Sequence, residues 1–326
     1  MSNLPPALIL AAGLGTRLHP LTTQRAKPAL PVAGEPLIRR LIASLVAQGV
    51  REVVINLHHR PETISGVVGD GSDLGCRVRY SWESRILGSA GGPRRALPLL
   101  DARFFVLNGD TLCDVDLDQL ARTHRDRGAS VTLATTPNPA PDRYGALLSD
   151  DGTWVNGVRR AGAPGPEGWH FVGVQLAEAT PFTSLDDGVP AATIGGLYDR
   201  LWVRPGQIGL FRVSGPFHDI GTPLDYLETS RAIADRERRS SPLRGDGCQL
   251  DPTAELDGSV LWDRVQVGAR CRLTDCILGD DVHVPDDTRL TRQAVVPWSP
   301  EVASTGPGRR DGALWLVDLD RDETRR

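Results

Sequence analysis

Residues 10–31 read LAAGLGTRLHPLTTQRAKPALP. An apolar run enters a glycine turn, Arg17 follows, and after a proline-punctuated stretch Lys27 stands between Ala26 and Pro28. The run before the turn, ALILAAG, is apolar throughout, which suits a buried parallel strand. A strand passing directly into a glycine-rich turn offers backbone N–H groups to phosphate oxygens, and glycine permits close approach because no Cβ intervenes. GLGT alone is explained equally well by a tight turn needing positive φ. Two cations on the same loop favour phosphate: Arg17 can fork two oxygens, and Lys27 offers a compact charge where negative charge builds during transfer. The loop has neither the G-K-[ST] ending of the common NTPase phosphate loop nor the dinucleotide spacing.

Beyond this loop, strands and helices alternate. PLIRRLIASLVAQG has helical spacing, with a proline at its start and Gly49 at its stop. EVVINL, CRVRYSW, FFVLNGD and SVTLATT read as strands, and LDQLARTHRDRG as a helix. The alternation predicts an α/β domain with a mainly parallel sheet covered on both faces, whose ligands sit outside the carboxyl ends of the strands. Residues 143–175 hold shorter extended pieces, and the helical PLDYLETSRAIADRERR precedes SSPLRGDG. After this linker the period changes. Val265, Cys271 and Ile277 lie six apart, as do Val267 and Leu273, and Val284 and Leu290. Six-residue repeats point to two or three coils of a parallel β-helix, with an ordinary small β-meander as the alternative. The boundaries predicted are 1–238 for the catalytic domain, 239–247 for a linker, 248–296 for a short hexapeptide-repeat segment and 297–326 for a flexible, polar, proline-rich tail.

Composition narrows the classes. The chain has 326 residues, 40% hydrophobic and 24% charged, enough for one large domain with an appendage. A formal net charge of −4 gives no reason to expect nucleic acid or a membrane surface as partner. The amino terminus lacks the pattern of a signal peptide, and no apolar run approaches a membrane span. Cys76, Cys113, Cys248, Cys271 and Cys276 include no C-x-x-C pair and are expected as reduced, mostly buried thiols of a cytoplasmic protein. His58 and His59 are not read as a metal site, because consecutive residues near a strand end point apart.

GLGTRLHPLTTQRAKPALPVAGEPLI resembles the signature of the sugar-1-phosphate nucleotidylyltransferases, G-x-G-T-R-x-x-P-x-T followed by P-K-P. The likeness continues in order through ILGSAGGPRRALPLL, VLNGDTLCDVDL, RYGALL, FVGVQ and FHDIGTPLDYL, and covers roughly residues 5–235. It implies a Rossmann-like nucleotidyltransferase domain with a mostly parallel mixed sheet, followed here by a short C-terminal left-handed β-helix-like segment. Within the family the texture is similar to N-acetylmuramate-1-phosphate uridylyltransferases, and the appendage to mannose-1-phosphate guanylyltransferases and glucose-1-phosphate adenylyltransferases. The implied reaction is attack by a sugar 1-phosphate oxygen on the α-phosphorus of a nucleoside triphosphate, giving an NDP-sugar of the GDP-mannose or UDP-N-acetylmuramate type and pyrophosphate.

The resemblance assigns the nucleotide to Ala11, Ala12, Gly13, Leu14, Gly15, Thr16 and Arg17, with Gly88 and Ser89 of LGSAGG at the base. LGSAGG is also readable as a helix start whose glycines merely allow tight packing. Asn108, Tyr144, Gly145, Arg160 and Gly173 are assigned to the sugar phosphate, and Arg17, Lys27 and Asp110 to catalysis. Asp110 ends an apolar strand in NGD, which is also good turn chemistry. Read functionally it binds Mg²⁺, a hard ion that takes one or two carboxylates and completes its shell with water and phosphate. The resemblance places the second carboxylate at Asp219. Three departures leave the nucleotide half intact and bear on the sugar half. The family's E-K-P is missing from VRRAGAPGPEG, where Arg160 or Arg159 stands for the lysine; neighbouring strand residues face opposite ways, and arginine is not equivalent to lysine. His218 replaces a tryptophan, and Ala26 a proline. Two alternatives follow, a catalytically silent sensor or assembly subunit and a cytidylyltransferase acting on a non-sugar phosphate. The C-terminal segment is a candidate contact surface for a second copy of the chain.

Overall fold

The apolar run Ala7–Leu10 lies inside a nine-stranded sheet, between Arg103–Asn108 and Glu52–Leu57, both parallel to it. Arg77–Trp82 continues the parallel set beyond Glu52–Leu57. On the other side Trp169–Glu178 pairs antiparallel with Arg103–Asn108, which makes the sheet mixed. Ala146–Leu148 and Gly157–Arg159 follow it at that edge, while Val131–Pro137 pairs with Trp169–Glu178 and, in parallel, with Ile208–Arg212. Buried on both faces, the strands need no polar alternation: Leu8, Val54, Phe104, Val106, Leu133 and Leu210 join Phe182 and Tyr198 in one core. Because the central strands are parallel and Leu10 lies opposite both Asn56 and Asn108, their carboxyl ends form one edge.

The computed structural model describes residues 4–239 and 242–320. The first three residues, two positions of the expected linker (Ser240 and Ser241) and the last six of the expected tail lie outside the described residues. The chain divides into two compact units, each built from two stretches of sequence. One comprises Met1–Gly13 and Ile38–His218; the other comprises Leu14–Leu37 and Asp219–Arg326. The signature loop therefore packs with the C-terminal segment.

That segment is a parallel β-helix rather than a meander. Gln249–Leu250, Gln266–Val267 and His283–Val284 stack in parallel on one face, and Glu255–Asp257, Arg272–Thr274 and Arg289–Thr291 on a second. Leu243–Arg244, Val260–Leu261, Ile277–Leu278 and Gln293–Pro297 form the third. Val265, Val267, Cys271, Leu273, Cys276, Leu278, Val282, Val284 and Leu290 fill the interior; the six-residue spacing holds for Val265 and Cys271, Val267 and Leu273, and Val284 and Leu290, while Cys276 rather than Ile277 takes the inward place after Cys271. Burial pushes the Cys276 thiol up to about 11, as expected of an inert structural cysteine.

The expectation of a flexible tail from residue 297 is corrected for its described part. Pro300–Ser304 is a helix capped by the Ser299 hydroxyl, which accepts from the Val302 N–H. Leu314–Asp318 then pairs antiparallel with Gln293–Pro297 and with Arg309–Asp311. Alternation in LWLVD sends Leu314 and Leu316 into the β-helix core, and this apolar burial offsets the ordering entropy. Among the described residues no helix is long and apolar enough to cross a membrane.

Candidate active site

In the first unit, the glycine loop leaves its strand through a buried polar chain. The Ala11 N–H donates to Asn56 Oδ1 at 2.5 Å, and Asn56 Nδ2 donates to Glu83 Oε1 at 2.7 Å. Glu83 Oε2 accepts from the Leu87 N–H at 2.8 Å. Glu83, only 3% exposed, thereby ties the start of the loop to the start of LGSAGG. Sequence reading missed Asn56 and Glu83, whose only signal was a polar residue at the end of an apolar strand. Glu83→Ala would strand two buried donors at about 1–3 kcal/mol each, so we expect a lowered urea midpoint, and a smaller loss for Glu83→Gln. An unchanged midpoint would remove this chain from the account.

LGSAGG opens the helix Gly88–Ala96. Ala90 and Gly91 N–H groups both donate to Ala191 O, and the Ser89 hydroxyl lies 3.0 Å from that of Thr193 while accepting from the Thr193 N–H at 2.9 Å. The tight-packing reading thus has a concrete basis at these residues. At Gly13, by contrast, an added Cβ would meet no atom within 4 Å.

Asn108 ends the neighbouring strand and Asp110 follows it, and the Gly109 N–H between them donates to Leu10 O at 2.9 Å. The Thr111 hydroxyl donates to Asp110 Oδ1 at 3.2 Å. Gly173 sits against Asn108: its φ is 80°, and a Cβ there would lie 3.1 Å from Asn108 Cβ. Asn108 and Gly173 are thus neighbours on the edge from which the glycine loop also leaves. Tyr144 stacks on His170 with ring centroids 4.3 Å apart, and Phe217 lies 4.8 Å from His170. Burial lowers His170 to about 4, so its imidazole is neutral near pH 7. His170 and Phe217 were not legible as site residues, since their contact depends on three separate segments. Gly145 backs onto the strand that carries Arg159. The two arginines differ: Arg159 Nη1 donates to Ala163 O at 2.6 Å and so holds its own loop, while Arg160 is exposed.

In the second unit the loop Leu14–Leu37 is built from three short 3₁₀ turns, Thr16–Leu18, Leu21–Thr23 and Lys27–Ala29. Gly15 has φ 64°, its carbonyl accepts from the Thr22 hydroxyl at 2.9 Å, and a Cβ on it would lie 2.8 Å from Thr22 Cγ2. That same Cβ would be 3.3 Å from Lys27 Cβ, so the loop folds Lys27 back beside the glycine turn. Leu14, Thr16 and Arg17 are exposed on this loop. Asp219 belongs to this unit too, just ahead of the helix Pro223–Arg236, whose Thr222 and Asp225 form a reciprocal cap.

A mixed, mainly parallel α/β sheet and a run of hexapeptide coils in one chain define the class as a nucleotidyltransferase fold with a β-helix. Residues 6–159 match the nucleotidyl transferase family, and residues 232–294 match the GlmU-like C-terminal hexapeptide. The mannose-1-phosphate guanylyltransferase of Mycobacterium tuberculosis is 30% identical over 290 residues, covering 85% of this chain and 80% of that one. The UTP–glucose-1-phosphate uridylyltransferase of Synechocystis is 28% identical, covering 93% and 85%. Among solved structures, HddC of Yersinia pseudotuberculosis complexed with GMP-PN has a TM-score of 0.61 at 26% identity and covers 71% of this chain and 100% of that one. The chain belongs to the sugar-1-phosphate nucleotidylyltransferase family.

Proposed function

We propose that the protein transfers GMP from GTP to a hexose 1-phosphate, giving a GDP-hexose and pyrophosphate. The placement of Lys27 beside Gly15 carries the reading, because it joins a cation to a turn suited to phosphate. The choice of guanine is supported by the guanylyltransferase relative and by the HddC complex with GMP-PN. Backbone N–H groups of the turn and Arg17 hold the triphosphate. One oxygen of the sugar phosphate forms a bond to the α-phosphorus as the bond to the bridging β-oxygen breaks. The attacking phosphate is already anionic, so no general base is needed and positioning with charge stabilisation does most of the work. Lys27 acts as charge shifts towards the leaving pyrophosphate. The Tyr144 ring, stacked on His170, and the Gly145 backbone would contact the sugar.

Magnesium suits this donor set. A hard ion that shares its shell with phosphates and water needs only one or two carboxylate oxygens from the protein. Asp110 and Asp219 would hold it, and it would neutralise the triphosphate and stabilise the pyrophosphate leaving group.

Pyrophosphate release measured over five nucleoside triphosphates and a set of phosphorylated acceptors tests the reading. GTP with mannose 1-phosphate should lead. A lead for UTP with glucose or N-acetylmuramate 1-phosphate would move the base and sugar, and release only with non-sugar phosphates would end the sugar assignment. Arg160 is the exposed cation of its strand end, and a charge-assisted phosphate contact is worth about 1.5–3 kcal/mol. Arg160→Ala should therefore raise acceptor KM about tenfold to a hundredfold and barely move the KM for nucleotide. Unchanged acceptor KM would show that the acceptor phosphate is bound elsewhere.

A further inference from the structure

The loop that carries Arg17 and Lys27 is anchored within its unit on both sides of Lys27. Before it, the Arg25 guanidinium spans two successive coils. Its Nε and Nη2 donate to the two carboxylate oxygens of Asp280 at 2.7 and 2.6 Å, and Nη2 also donates to Asp263 at 2.6 Å. Asp263 and Asp280 are equivalent coil positions, and Asp280 Oδ1 also accepts from the Asp263 N–H at 3.0 Å. Gln24 pairs with the Asp280 backbone in both directions, its Nε2 donating to the carbonyl at 2.8 Å and its Oε1 accepting from the N–H at 2.9 Å. The Trp262 ring lies 5.4 Å from the guanidinium carbon. After Lys27, the Tyr226 hydroxyl donates to Pro31 O at 2.5 Å and accepts from Trp262 Nε1–H at 2.8 Å.

These contacts are not general features of the coils. The neighbouring corner carboxylates Asp281 and Asp287 pair with Arg264 and Arg270 of the β-helix itself, in exposed ladders. Asp263 and Asp280 are instead turned to the loop, and the Arg25 and Asp280 side chains are only 16% and 13% exposed. A planar guanidinium forked on one carboxylate and bonded to a second is fixed in direction in a way that a single-point ammonium contact is not. Two residues from Arg25, Lys27 inherits that fixed backbone.

We propose that Arg25, Asp263 and Asp280 are positioning residues for the transfer reaction, with the β-helix serving as the fixture that aims the cationic loop. The proposal rests on reading that loop as the phosphate-binding element. It is tested in the full-length protein with Arg25→Gln, Asp263→Asn and Arg25→Lys, by steady-state kinetics with GTP and mannose 1-phosphate and by amide hydrogen exchange.

Misplacing a catalytic group by about an ångström can cost two decades, so Arg25→Gln should lower kcat about tenfold to a hundredfold while the KM for GTP moves less than about threefold. Exchange over residues 14–31 should accelerate at least about tenfold while residues 260–296 keep their protection, the mark of local rather than global opening. Arg25→Lys, which keeps charge without the fork, should recover part of kcat. Asp263→Asn leaves the bidentate pair with Asp280 in place and supplies the same comparison should Arg25→Gln melt the coils. Wild-type kcat in both Arg25→Gln and Asp263→Asn overturns the proposal, and so does faster exchange without loss of kcat. Absence of transfer in the unsubstituted protein is a different failure, that of the functional reading, and is seen before any substitution is made.

Discussion

Asp110→Asn and Asp219→Asn are each expected to lower turnover by about 10²–10³-fold, the typical loss when one preorganised charge-stabilising group is removed from a transferring centre. Each substitution keeps the size of the side chain and takes away one negative oxygen, so the fold should survive. Asp110 sits in a turn whose backbone is fixed by the Gly109 N–H on Leu10 O, and Asp219 lies just before a helix that has its own reciprocal cap. Circular dichroism and melting should therefore be close to wild type. Raising magnesium should restore part of the rate if the carboxylates hold the ion, because a weakened site is refilled by mass action. Near-wild-type magnesium-dependent turnover in either variant would remove that residue from the metal assignment.

Lys27→Ala should lower kcat by a similar factor, about 10²-fold, and disturb nucleotide binding much less. Its charge is asked to act mainly as the transition state forms, and an interaction made only there is lost from kcat rather than from KM. Arg17, exposed on the first turn of the same loop, should behave differently: Arg17→Ala should weaken both parameters, since a guanidinium on the triphosphate acts in ground and transition states alike. A Lys27→Ala enzyme with normal kcat and a raised KM for nucleotide would reverse the two roles.

Much of this fold could be read from residue pattern. ALIL, EVVINL and FFVLN have no polar alternation and form the doubly covered parallel centre of the sheet. Val265 and Cys271, six apart, both face the coil interior, but the next inward place is taken by Cys276 rather than Ile277, because equivalent coil positions lie 17 residues apart and one of the three hexads is a residue short. The tail was misread because composition outweighed alternation: proline and glycine around residues 297–312 masked LWLVD, whose leucines complete the core. Partnerships between distant segments were invisible for a different reason. Arg25 and Asp280 are separated by 255 residues, and neither has a neighbour in sequence that reveals the other. Glu83 and the Tyr144–His170–Phe217 stack belong to the same class, since only the folded chain brings their segments together.

The central claim is that an oxygen of the sugar phosphate forms the new bond to the α-phosphorus of the nucleotide. Sugar 1-phosphate carrying ¹⁸O throughout its phosphate, incubated with unlabelled GTP and magnesium, tests it by mass spectrometry of both products. The account predicts that all label is retained in the GDP-sugar and none appears in pyrophosphate, because the bond that breaks lies between the α-phosphorus and an oxygen of the nucleotide. Label in pyrophosphate, or GTP consumption without a labelled nucleotide sugar, would contradict it.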